Sequence, residues 1–111
     1  MSVGDDAPAA LIWCPFPDEA AAGAAVAALL DARLIACANL LPGMRSLFAW
    51  QSGREEAAEC GALLKTTAAL LDEAMRRLAE LHPYDTPAIT GWTARADAGT
   101  LAWLRAETRG A

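Results

Sequence analysis

One histidine, three cysteines and one tyrosine leave few positions in these 111 residues where side chains could do chemistry. The histidine lies in His82-Pro83-Tyr84-Asp85-Thr86-Pro87. Pro83 blocks helical hydrogen bonding and pushes His82 off the α region, so the imidazole sits on a stiff corner. Such a ring can serve as a metal ligand or proton carrier at little ordering cost, although the same prolines also make a plain helix stop. Cys14, just before Pro15 and Pro17, is the candidate partner. A thiolate and an imidazole suit copper(I) or zinc, and soft sulfur favours copper. Two ligands do not make a tight site, so a third must come from water, Asp85, Tyr84 or a neighbouring subunit. Cys14 reads equally well as a small buried hydrophobe, and Cys37 and Cys60 read as that alone.

Three further residues could meet a ligand. Lys65 closes an apolar run and could reach an anion in a cleft between subunits as a point charge, or hold its head in water. Tyr84 lies in the histidine corner. Trp50, with Phe48, belongs to an aromatic-rich hairpin that would be a sticky edge unless it buried against a partner strand.

The elements that position these residues follow from apolar spacing and turn residues. Ala9 to Cys14 reads as a buried strand ended by Pro15. Asp18 is placed to cap a helix whose stripe is Val26, Leu29 and Leu30. Leu34 to Leu41 is a second apolar run, stopped by Pro42-Gly43. Arg45 to Trp50 carries bulk on both faces, and Gln51-Ser52-Gly53-Arg54 is a hairpin tip. The return strand is expected over 59–66, with Gly61 its weak point. A helix over about 67–81 carries Leu70, Leu71, Ala74, Met75 and Leu78 on one side. A strand over 88–94 and a C-terminal helix bearing Leu101, Trp103 and Leu104 complete the chain.

The order is β-α-β-β-α-β plus a helix. With right-handed crossovers this is an α+β, ferredoxin-like βαββαβ sandwich, an antiparallel sheet with helices on one face. Residues 1–8 read as a tail and 9–111 as a single domain, with a radius of gyration near 13 Å.

Composition excludes several classes. Hydrophobic residues make up 55% and charged residues 21%, which describes a folded chain. The net charge of −5 argues against nucleic-acid binding. The uncharged stretch Ala20 to Leu30 is too short to span a membrane, and Asp5 and Asp6 stand where a signal peptide carries positive charge. A cytoplasmic protein is expected. Three cysteines at wide spacing make neither a disulfide framework nor a metal knuckle.

Six segments, in order, resemble the CutA family of divalent-cation tolerance proteins: Cys14-Pro15-Phe16-Pro17-Asp18-Glu19, Leu34 to Gly43, Ser46 to Trp50, Leu63-Leu64-Lys65-Thr66, His82 to Pro87 and Leu101 to Leu104. The resemblance covers nearly the whole chain. It implies a homotrimer of ferredoxin-like subunits joined through the central hairpin, and a role in tolerance to metals such as copper. It also implies copper ligation at cysteine and histidine positions, of which Cys14 and His82 match. Leu81 stands where some members carry a second histidine, and Phe48 where tyrosine is frequent. Gln51-Ser52-Gly53 and Gly99-Thr100 also depart from the family's pattern.

Three functional classes are compatible with these residues. A metal-binding trimer rests on Cys14 and His82. A signalling or scaffold trimer like the PII proteins would bind a small anion between subunits, and would want a long glycine-rich loop that this chain lacks. A Cys-His enzyme would want a third group to orient the imidazole, and neither GxSxG, HExxH nor a Walker motif occurs. The expectation is therefore a non-enzymatic protein with no organic cofactor.

Overall fold

The computed structural model describes residues 8–110; the expected tail, apart from Pro8, lies outside them. The elements are β1 (Ala9–Phe16), α1 (Glu19–Asp31), β2 (Cys37–Trp50), β3 (Gly53–Thr67), a short 3₁₀ turn (Ala68–Leu70), α2 (Leu71–Leu81), β4 (Thr90–Ala94) and α3 (Ala98–Glu107). The sheet is antiparallel, in the order β2-β3-β1-β4. This is the expected ferredoxin-like sandwich with its added C-terminal helix.

Alternation along the central strands sorts the two faces. Ala10, Ile12, Cys14 and Phe16 of β1, with Cys60, Ala62, Leu64 and Thr66 of β3, are buried. Ala22, Ala25, Val26 and Leu29 of α1 and Ala74 and Leu78 of α2 join this layer in one apolar core. Alanines on α1 let it lie close to the sheet. Leu30 was expected in that stripe, yet it is exposed, because one residue beyond Leu29 turns it about 100° off the core face. Asp18 caps α1 as expected, its Oδ1 accepting from the Ala21 N–H at 2.8 Å.

Three strand boundaries differ from expectation. β1 does not stop at Pro15. Pro15 pairs with Gly61 and Phe16 with Cys60, so the strand continues beneath the proline. The Pro15 carbonyl receives a bond from His82, and in an extended residue the nitrogen faces the same way as that carbonyl. The missing N–H therefore falls where no strand pairs with it, and the ladder loses nothing.

β2 runs through Pro42-Gly43, which shift the register between Leu41 and Met44 instead of ending the strand. Gly43 has φ of 73°, a conformation open to glycine, and this makes the pair a bulge. β3 begins at Gly53, six residues earlier than expected, because Gln51 and Ser52 alone make the turn with φ of 50° and 64°. The long hairpin projects from the core and raises the radius of gyration to 14.8 Å.

A cysteine–histidine corner at the end of β1

β4 pairs with β1 only as far as Thr90 opposite Trp13. Beyond that point the outer side of β1 is covered by the turn that follows α2. His82 ends α2 in extended geometry, as Pro83 requires. Its Nε2 lies 2.8 Å from the Pro15 carbonyl oxygen, and its Nδ1 lies 3.1 Å from the Tyr84 amide nitrogen. A backbone N–H can only donate, so Nδ1 is the acceptor and Nε2 carries the proton that goes to Pro15. The ring stacks on Phe16 with centroids 4.3 Å apart, and Tyr84 tilts against its other side at 4.8 Å.

Cys14 lies next to this contact. Its Sγ is 3.6 Å from the same Pro15 oxygen, so thiol and imidazole converge on one atom. The side chain is fully buried. Burial pushes its thiol up to about 12, with the Glu59 carboxylate adding to the shift. Tyr84 donates its hydroxyl to Glu59 Oε2 at 2.7 Å. Burial first, then this bond and the charge of Glu59, raise the phenol to about 12.

The donor pair has the right chemistry for a soft cation, a thiol and an imidazole within reach of one point. Loading it has a cost. Nε2 must release Pro15, and a thiol held neutral by burial must lose its proton. Among the described residues, no three of His, Cys, Asp and Glu gather closely enough to hold a metal. A third donor would have to be water, the Tyr84 hydroxyl or a group from another chain.

Trp50 and Tyr84 line one groove of about 860 Å³, bounded on its inner side by Pro15 and Glu59. Lys65 is elsewhere. It sits between Leu11 of β1 and Cys37 of β2, six residues along β3 from Glu59, roughly 20 Å by strand rise. Glu59, only 8% exposed, is the residue at this site that spacing and motif do not single out. The alternation Glu55, Ala57, Glu59, Gly61 on one strand face was the available signal.

Trp13 is a second such case. Its indole lies over Gly61, where an added Cβ would collide with the ring. A glycine inside a strand marks that kind of close approach.

Fold and corner define a class: a small ferredoxin-like α+β protein with a long central hairpin and a buried cysteine–histidine pair closing the open end of its first strand. Residues 10–107 match the family model described as CutA1 divalent ion tolerance protein. The chain belongs to that family. The divalent-cation tolerance protein CutA of Pectobacterium atrosepticum is 37% identical over 102 residues, covering 91% of this chain and 93% of the relative. That of Pyrococcus horikoshii is 47% identical over 79 residues, covering 71% and 76%. The crystal structure of the divalent ion tolerance protein CutA1 from Ehrlichia chaffeensis is 31% identical, with a TM-score of 0.87 over 93% of this chain and 97% of that one. Another similar structure, 27% identical with a TM-score of 0.84 over 89% and 97%, is described as the periplasmic divalent cation tolerance protein CutA from Archaeoglobus fulgidus.

Proposed function

We propose that this chain assembles as a homotrimer and serves cytoplasmic tolerance to divalent metal ions, binding a soft cation such as copper weakly at Cys14 and His82. In this reading it is not an enzyme, and residues 9–111 act as one domain. The carrying observation is the convergence of Cys14 Sγ and His82 Nε2 on the Pro15 carbonyl, at 3.6 and 2.8 Å. When bound, the metal would take the thiolate and the imidazole as ligands. Both lose protons or hydrogen bonds to provide them, so affinity rises with pH.

Copper titration of the wild type, Cys14→Ser and His82→Ala tests this. Weak binding that each substitution weakens further is expected; equal binding by all three chains refutes the site.

The trimer rests on apolar exposure. Leu47, Phe48, Trp50 and Trp92 are each more than a third exposed in the single chain, and β2 and β4 are unpaired edges. A closed ring covers such faces and edges in every copy at once. In that assembly Lys65, Tyr84 and Trp50 stand where a neighbouring chain would form a cleft. A stable monomer by light scattering in dilute buffer would refute the ring. Cys14, Cys37 and Cys60 are all free, as suits a reducing compartment, and cell fractionation tests the location.

A further inference from the structure

The groove between the hairpin and the turn after α2 has a composition that the metal reading does not use. Phe48, Trp50 and Tyr84 give it three aromatic faces, and Glu55, Glu59 and Asp85 give it three carboxylates. No lysine, arginine or histidine lines it. Glu55 and Glu59 lie on one face of β3, four residues and therefore about 13 Å apart by strand rise. Among the described residues, Tyr84 is the one hydrogen-bond partner of the Glu59 carboxylate, through Oε2. A buried carboxylate oxygen at the inner end of the groove is thus left for a ligand.

This spacing excludes one kind of cation and fits another. A bare divalent ion draws its oxygens to within about 2.3–2.6 Å of one point, and these carboxylates form no such cluster. A volume of about 860 Å³ is the size of an organic-ligand site. Separated carboxylates with aromatic faces between them match a chain of ammonium groups joined by methylenes. Each ammonium meets a carboxylate or an aromatic face, and the methylenes pack on the rings.

We propose that this groove binds a linear aliphatic polyamine, with Glu59 seating one terminal ammonium, Glu55 and Asp85 holding the others, and Phe48, Trp50 and Tyr84 packing its methylenes. Glu59 is suited to the terminal position because Tyr84 fixes its carboxylate. Every group belongs to one chain, so the site depends neither on Cys14 and His82 nor on the trimer.

Calorimetric titration of spermidine into the full-length protein at 0.15 M salt tests the proposal, with Trp fluorescence as a second readout. Saturable binding of one spermidine per chain is expected. Glu59→Gln and Glu55→Gln should each weaken it by at least about tenfold, as loss of a charge-assisted bond does. Glu55 is exposed, so Glu55→Gln keeps the test valid even if Glu59→Gln fails to fold. The proposal is overturned by unsaturable binding or by unchanged affinity in Glu55→Gln. It is also overturned by full displacement with equimolar magnesium, which would mark a simple divalent-ion site. Binding only after the assembly is dissociated would show that a second copy of the chain fills the groove.

Discussion

His82 donates through Nε2 to the Pro15 carbonyl at 2.8 Å, just past the point where β4 has stopped pairing with β1. One side chain thus does the work of a missing strand. It ties the end of α2 to the sheet and satisfies a carbonyl that would otherwise face the gap.

Loss of this clamp should be visible in stability. His82→Ala removes the bond to Pro15, the acceptor for the Tyr84 amide and the stack on Phe16. The expected cost is about 2–4 kcal/mol by urea denaturation at fixed protein concentration. His82→Phe keeps an aromatic ring on Phe16 and should recover only part of it. Wild-type stability in His82→Ala would show that the corner is incidental.

Gly61 and Trp13 should behave as a coupled pair. Gly61→Ala drives a Cβ into the Trp13 indole, and β3 has ladder partners on both sides, so the strand cannot retreat. A loss of about 1–3 kcal/mol is expected. Trp13→Val should relieve most of that loss in the double variant, and strict additivity would disprove the contact.

Alkaline pH should unfold the protein early. Cys14 and Tyr84 each have a folded pKa raised to about 12, from 9.0 and 10.0. A raised folded value means the native state holds its proton more tightly. The stabilisation is complete below about pH 9 and falls as pH climbs toward 12. Urea midpoints measured from pH 8 to 11 should decline, and Cys14→Ala should flatten the slope. An unchanged slope in that variant would mean that the buried thiol contributes nothing.

Arg33 closes α1 in the left-handed region, with φ of 58°. Its guanidinium reaches the Ala106 carbonyl at 2.9 Å, near the end of α3. Arg33→Ala should keep the backbone strain and lose the tie, costing about 1–2 kcal/mol. Arg33→Gly loses the same tie and removes the strain, so it should be about 1 kcal/mol more stable than Arg33→Ala. The reverse order in thermal melts would refute this account.

Local chemistry fixed most of the architecture. The Asp18 cap, the period of Leu70, Ala74 and Leu78, and the apolar runs of β1 and β3 each bury one face in only one way, so strand and helix order followed from residue type. Cys14 and His82 could be paired as chemistry but not as neighbours. Tertiary structure decided what depended on which backbone group met which partner. Pro15 stays inside a strand because its nitrogen faces away from β3. Pro42-Gly43 bends β2 without ending it because β3 continues opposite. Glu59 is buried beneath Tyr84 because the turn after α2 folds across the end of β1, a contact between residues 25 apart in sequence. Periodicity reports which face of an element is apolar. It carries no record of what will cover that face, and the corner and the groove are made by that covering.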